Sequence, residues 1–172
     1  MNVLVWLAEG TWAAATDAAA RHAPAGARIT LLHVVDPALA GEVAGAWTGL
    51  LGRGHHDPGP AVEAVAAAAE RDLLAAAADR LGRPATPVAR RGPAEREVVA
   101  ACNELAADLL VVARDGDRSR VGPHSLGRQT RFVVDHAPCE VLLVWPAAPL
   151  VTEPPPLPHP PHLPHPPHPT VR

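Results

Sequence analysis

One segment near the carboxyl end of the chain constrains the fold more than any other. Residues 108–145 read DLLVVARDGDRSRVGPHSLGRQTRFVVDHAPCEVLLVW. The apolar runs at its two ends are typical of buried strands, and a charged, glycine-bearing loop and a short helix lie between them. Strands that alternate with helices in this way indicate a parallel sheet. The helix start, just beyond the end of a strand, can hold a phosphate because its amides and dipole favour negative charge.

The first 146 residues continue this alternation. The predicted strands are Val3–Ala8, Arg28–Val35, Thr86–Arg91, Leu109–Ala113 and Val141–Trp145. The first predicted helix starts at Gly10-Thr11 and ends near Arg21, and the third starts at Gly92-Pro93. The second runs from Pro60 to Leu81, with Val62, Val65, Ala69 and Leu73 on one face. The last helix has an inward-facing stripe of Leu126, Thr130, Val133 and Ala137. This pattern predicts an α/β domain over residues 1–146.

Three blocks of this domain resemble the universal stress protein family. LLHVVD (31–36) resembles the family's second strand, and RRGPAEREVV (90–99) with AADLLVVA (106–113) resembles its third strand, third helix and fourth strand. RFVVDHAPCEVLLVW (131–145) resembles the closing helix and last strand. The resemblance implies a five-stranded parallel sheet, doubly wound and Rossmann-like, with strand order 3-2-1-4-5 and helices on both faces. Ligands of such sheets bind where the winding reverses, between the first and fourth strands.

The family's phosphate motif is altered in this chain. The motif runs Gly-x-x-Gly, nine residues, then Gly with Ser or Thr, and the similar positions here are Ala113, Gly116, Gly127 and Arg128. The last spacer has ten residues, and Gly122-Pro123 resembles a tight turn that can absorb the extra one. Ala113 fits without strain only if its φ is negative. Arg128 either clamps a phosphate or fills its space.

The resemblance also implies a ligand and the residues that hold it. The leading ligand is ATP or a related adenine nucleotide. Adenine and ribose would lie near Ala8, Glu9, Gly10 and Val34, and the phosphates near Ala113, Gly116, Gly127, Arg128 and Gln129. The loop Arg114–Arg120 carries three arginines and two aspartates. It is either a cationic rim around a phosphate or a set of local Arg–Asp pairs on a solvated loop.

The composition excludes several kinds of chemistry. All fifteen basic residues are arginine, so there is no Walker-type or Schiff-base lysine. A net charge of −3 gives no reason to expect nucleic-acid binding. Cys102 and Cys139 form neither a disulfide framework nor a metal-binding spacing. Cys102 lies at helical spacing from Val98 and Leu105, which favours a buried core thiol.

The histidines of the domain offer little for catalysis. His33 lies in a central strand and is interpreted as structural, and His136 is predicted to close the last helix. His124 lies in the glycine loop and is kept as a candidate ligand contact. His55-His56 lie in a glycine-rich segment before the helix that starts at Pro60, and they are not taken as a metal site. No base, metal-binding carboxylate pair or nucleophile is identifiable. The chain is therefore predicted not to be an enzyme and to need no metal, with a slow ATPase activity left open.

The last strand suggests a second class of function. Val141–Trp145 is an apolar run, and an apolar strand at a sheet edge needs a partner. Family members that the chain resembles dimerise there, so we expect a homodimer. The alternative to a nucleotide-binding stress-response protein is thus a dimeric interaction module of the same family that has lost its nucleotide.

Residues 147–172 form a proline- and histidine-rich tail that we expect to be disordered. His159, His162, His165 and His168 recur every third residue, which places them about 9 Å apart along a polyproline II helix with a rise of ~3.1 Å. That spacing is too wide for two neighbours to chelate one ion, so a metal-responsive role is only an alternative. With no basic leader and no membrane-spanning apolar run, a cytoplasmic location is expected.

Overall fold

The computed structural model of the protein describes residues 1–36, 59–114 and 126–146. The elements are β1 Asn2–Trp6, α1 Trp12–His22, β2 Arg28–Val35, α2 Gly59–Leu81, β3 Thr86–Arg91, α3 Ala94–Glu104, β4 Leu109–Ala113, α4 Arg128–His136 and β5 Glu140–Val144. The five strands form one parallel sheet of order β3-β2-β1-β4-β5, which confirms the predicted fold class and strand order. The predicted tail, residues 147–172, lies outside the described residues.

The central strands are apolar throughout because helices cover both faces of the sheet. Every residue of β4 is buried, and so is β1 from Val3 onwards. Successive strand residues point to opposite faces, so the core divides into two clusters. One packs Val5, Leu31 and Val111 against α1 and α2, and the other packs Leu4, Leu32 and Leu110 against α3 and α4. Helices on both faces were also predicted.

The two edges of the sheet differ in polarity. At β3, exposed and half-buried residues alternate, and Arg90 forms ion pairs with Glu97 and Glu104 of α3. At β5, Val141–Val144 are all half-buried, and these apolar residues pair with β4 on one side. The β3 edge is therefore polar and linked to α3 by ion pairs, whereas the β5 edge presents an apolar strand.

Residues near the amino-terminal end of the sheet tie distant segments together. The Asn2 N–H donates to Oδ2 of Asp108 at 2.6 Å, and Asn2 Nδ2 donates to the carbonyls of Leu105 and Ala106 at 3.1 and 3.0 Å. Ala106 has a φ of +44°, and it is the only non-glycine residue with positive φ in the described part of the chain. The start of β1 thus fixes the turn between α3 and β4.

The structure corrects three details of the predicted elements. β1 ends at Trp6, not Ala8, because the Ala8 carbonyl accepts the N–H of Thr11 and of Trp12 and so belongs to a turn. β5 lies one residue earlier than predicted, at Glu140–Val144. On α2, Val65 is 70% exposed, so the predicted apolar face is wrong.

The face of α2 that packs on the sheet is instead formed by its carboxyl half. Ala69 is exposed and Leu73 is half-buried, while the side chain of Val62 lies outside the described residues. The buried residues are Leu74, Ala77 and Leu81. The Arg80 guanidinium fixes this half of α2 to α1 by donating to both carboxylate oxygens of Asp17, each at 2.7 Å.

Candidate functional site

The winding of the sheet reverses between β1 and β4. β1 pairs with β2 on one side and with β4 on the other, with Val3 beside Leu109 and Val5 beside Val111. β1 and β4 run in the same direction, so the segments that follow Trp6 and Ala113 both leave the sheet at its carboxyl-terminal end. A crevice for a ligand is expected at such a position in an open α/β sheet.

The first of these segments is a tight turn. The Thr11 N–H donates to the Ala8 carbonyl at 3.1 Å, and Gly10, with a φ of +75°, occupies the third position of the turn. A type II turn requires positive φ there, which glycine adopts without strain. Glu9 is exposed and Ala8 is half-buried. Ala8 and Val34 pack in the same apolar cluster, so two of the predicted adenosine contacts are brought together.

The start of α1 already has acceptors for its amides. The Ala8 carbonyl accepts the Trp12 N–H at 2.9 Å, and the Thr11 carbonyl accepts those of Ala14 and Ala15 at 3.0 and 3.3 Å. The Thr11 hydroxyl also donates to the Ala8 carbonyl, at 3.3 Å. This helix terminus therefore offers few free donors to an anion.

The second segment follows β4. Ala113 is buried, lies within the strand, and is not among the residues with positive φ, so alanine is accommodated there without backbone strain. The Arg114 N–H donates to the Val144 carbonyl at 2.8 Å, which extends the pairing with β5 by one residue. The Arg114 side chain is 8% exposed and lies over the Trp145 ring. Gly116 and His124 lie outside the described residues.

The start of α4 differs from the start of α3. Glu95 and Glu97 lie in the first turn of α3 and satisfy its positive dipole end. The first turn of α4 has no acidic residue, and its N-cap, Gly127, supplies no side chain to bond the first amides. Arg128 is exposed there and Gln129 is half-buried. Among the starts of α1, α3 and α4, that of α4 is thus the best suited to an anion.

One residue of this turn was not predicted to be functional. Thr130 is 1% exposed, and its Oγ1 has no hydrogen-bond partner among the described residues. A buried hydroxyl without a partner costs free energy, commonly about 1–3 kcal/mol. The sequence indicated only that Thr130 lies on the inward stripe of the helix. Its signal was a hydroxyl among apolar positions, two residues after Arg128.

Two histidines have the structural roles that were predicted. His33 is buried, and its Nδ1 donates to the Leu7 carbonyl at 2.9 Å, which links β2 to the end of β1. His136 lies at the end of α4, where its Nδ1 donates to the Phe132 carbonyl at 2.8 Å and its ring stacks on Phe132. Both rings therefore serve the fold.

Within the ranges that the structure describes, no three His, Cys, Asp or Glu side chains are grouped so that they could hold a metal ion. None of the helices in those ranges combines the length and the apolar character needed to cross a membrane.

The chain matches the universal stress protein family over residues 2–144. It belongs to this family. Among solved structures, universal stress protein UspA from Lactobacillus plantarum is similar with 25% identity and a TM-score of 0.53, over 84% of this chain and 97% of that one. No curated protein matches the chain.

Two further solved members of the family resemble this chain in fold and are described with a nucleotide. One is a universal stress protein in complex with cAMP, with 19% identity, a TM-score of 0.57 and coverage of 86% of this chain and 98% of that one. The other is an Arabidopsis thaliana family protein with AMP bound, with 17% identity, a TM-score of 0.57 and coverage of 86% and 93%.

Proposed function

We propose that this universal stress protein is a cytoplasmic stress-response protein that binds an adenine nucleotide, with ATP as the leading ligand, and that it is not an enzyme. The observation that carries the proposal is the amino end of α4. It has a glycine N-cap, no acidic residue in its first turn and a buried hydroxyl without a partner among the described residues. Unpaired amides at a helix start bind phosphate.

The proposed ligand contacts lie mainly on the two segments that follow β1 and β4, at the carboxyl-terminal end of the sheet. Backbone groups of Ala8, Glu9, Gly10 and Val34 would hold adenine and ribose. The phosphates would lie against Ala113, Gly116, Gly127, Arg128 and Gln129. The relatives described with cAMP and AMP support an adenine nucleotide as the ligand class.

The test is calorimetric titration of ATP, AMP and cAMP into the full chain, with and without magnesium. Saturable binding of single-site stoichiometry would support the proposal. No heat at millimolar nucleotide, with the protein shown to be folded by circular dichroism, would contradict it and favour the dimeric module.

Arg128 decides how the altered motif works. If the guanidinium clamps a phosphate, Arg128→Ala weakens ATP binding most, while Arg128→Lys keeps part of the affinity, because the positive charge remains although the bidentate fork is lost. Arg96→Ala removes an exposed arginine of α3 and serves as the charge-matched control. Tighter ATP binding by Arg128→Ala than by the wild type would show that the arginine occupies the phosphate position.

The second candidate function, a homodimeric interaction module, is favoured by β5. Its apolar residues are half-buried, and β5 pairs with β4 along one of its two sides. A strand at a sheet edge exposes backbone groups that can pair with a second copy, and lysine on such a strand discourages pairing. We expect light scattering to give the mass of a dimer. Leu143→Lys would shift it toward the monomer, whereas Val65→Lys on exposed α2 would not.

A further inference from the structure

The two cysteines pack in the same side-chain cluster although they are distant in sequence. Cys102 is on α3 and Cys139 directly precedes β5, and both side chains pack in the cluster between the sheet, α3 and α4. The two thiols are near enough for each to shift the pKa of the other. Cys102 is 1% exposed, whereas Cys139 is half-buried. The pair thus has one enclosed residue and one that is partly exposed to solvent.

The surroundings give the two thiols different acidities. Burial, the larger cause, and the neighbouring Cys139 together raise the pKa of Cys102 to about 12. Burial also raises the pKa of Cys139, helped by the carboxylates of Asp108 and Glu140. Hydrogen bonds from Cys102 and from the Leu110 backbone oppose that rise and favour the Cys139 thiolate. Cys139 is therefore the member that ionises first, and both are protonated at neutral pH.

We propose that Cys102 and Cys139 form a reversible intramolecular disulfide when the protein meets a hydroperoxide, with Cys139 as the attacking thiol and Cys102 as the resolving one. The inference rests on the packing of the two side chains in one cluster and on the unequal exposure of the two residues. It is independent of nucleotide binding.

The oxidation proceeds in two balanced steps. The Cys139 thiolate attacks one oxygen of the hydroperoxide, so that an S–O bond forms, the O–O bond breaks, and water or an alcohol leaves after taking up a proton. The Cys102 thiolate then attacks the sulfenic sulfur. The S–S bond forms, the S–O bond breaks, and the leaving hydroxide takes up the proton that Cys102 lost. The thiols lose two electrons and the hydroperoxide gains them.

The position of the disulfide determines what it does to the protein. It closes residues 102–139 into one covalent ring, which contains β4, α4 and the segment between them. It also joins α3 to the residue that precedes β5. Because a disulfide restricts the unfolded chain, the oxidised protein should be the more stable form. Since both thiols are protonated at neutral pH, only sustained exposure to the oxidant should close the ring.

The experiment treats the full chain with hydrogen peroxide and follows its intact mass under non-denaturing conditions. Since the chain has two cysteines, an internal disulfide can only join this pair. We expect a product that has lost two hydrogen atoms, migrates as a monomer on a non-reducing gel, and yields a peptide cross-linked through Cys102 and Cys139. Its Tm should rise by roughly 5–15 °C and return to the reduced value with dithiothreitol.

Two variants separate the roles of the sulfurs. Cys102→Ala should stop at the sulfenic acid on Cys139, which a dimedone probe would capture, and Cys139→Ser should remain unmodified for longer than the wild type. The proposal is overturned if the wild type accumulates Cys139 sulfinic acid or forms intermolecular disulfides instead of the ring. Because this readout needs the wild type alone, it holds even if Cys102→Ala does not fold.

Discussion

The guanidinium carbon of Arg114 lies 5.8 Å from the centroid of the Trp145 ring, at the carboxyl ends of β4 and β5. Arg114 is 8% exposed, while Trp145 is 53% exposed. A large apolar ring that remains half in solvent gains little from its own burial. Trp145 instead stabilises the protein through its contact with Arg114, because the indole covers this nearly buried cation and attracts it through its π-system.

Removal of this ring should lower stability. We expect Trp145→Ala to reduce the free energy of unfolding by about 1 kcal/mol, from the lost cation–π contact and packing. Trp145→Phe keeps an aromatic face and should lose less than half as much. Urea unfolding measures both, with exposed Val65→Ala as a control of small effect. An equal loss in the Phe and Ala variants would show that the aromatic face contributes nothing.

A glycine in place of Ala106 should stabilise the protein. With a φ of +44°, this alanine is in the left-handed region, where a Cβ is disfavoured. We expect Ala106→Gly to raise the free energy of unfolding by about 0.5–1 kcal/mol, after the greater entropy of the unfolded glycine is subtracted. Ala75→Gly, at an exposed position inside α2, should lower it by about 1 kcal/mol. Thermal unfolding measures both variants. A loss of stability in Ala106→Gly as well as in Ala75→Gly would contradict the strain argument.

The fold was predictable wherever the sequence contrast was strong. The bounds of β2, β3 and β4 were predicted correctly, because apolar or alternating runs stop at Asp, Pro, Gly or charged residues. The buried face of α2 was predicted wrongly. Alanine fills so many of its positions that burial is decided by contacts with α1, such as the pair of Arg80 with Asp17, and these are not visible in a helical period.

The site was predictable only where it rests on a local pattern. The helix start at Gly10-Thr11 was predicted from the end of the preceding strand, and the one at Gly127 from the resemblance to the family's phosphate motif. The packing of Cys102 and Cys139 in one cluster depends on the tertiary structure, so neither cysteine's spacing revealed it. The environment of the Thr130 hydroxyl likewise depends on tertiary packing around α4.

The pair of Asp17 with Arg80 should make stability depend on pH. The Arg80 hydrogen bond lowers the pKa of Asp17 in the folded protein. The stability that this ion pair contributes is therefore present above the ordinary carboxylate pKa of about 4, and it is lost as the pH falls through the lower pKa of the folded state. Asp17→Asn should therefore flatten the decline of Tm between about pH 5 and pH 2. Added salt should weaken the effect because both groups are exposed. Asp79→Asn, on the same helix as Arg80, is the control that should keep the wild-type slope.

The tail should contribute nothing to the stability of the domain. Residues 149–172 are dominated by proline and histidine and have few apolar side chains to bury. Truncation after Ala148 should leave the Tm and the far-ultraviolet circular dichroism of the domain unchanged. A fall in Tm of several degrees would refute the proposed division at residue 146.

The hydroxyl of Thr130 separates stability from ligand binding. Valine has nearly the same shape and lacks the hydroxyl, which has no partner among the described residues. Thr130→Val should therefore raise the free energy of unfolding of the ligand-free protein, by about 1 kcal/mol. If the hydroxyl serves a bound phosphate, the same variant should bind ATP roughly fivefold more weakly, as expected for the loss of about 1 kcal/mol from one hydrogen bond.

A serine at this position completes the test. Thr130→Ser keeps the hydroxyl and removes a buried methyl, so it should lose stability by about 1 kcal/mol while its ATP affinity stays near that of the wild type. Opposite effects of Val and Ser on stability and on binding can arise only if the hydroxyl acts on the ligand rather than on the fold. If Thr130→Val lowers stability, the hydroxyl has a protein partner. The helix start would then lose the second observation that marks it as an anion site.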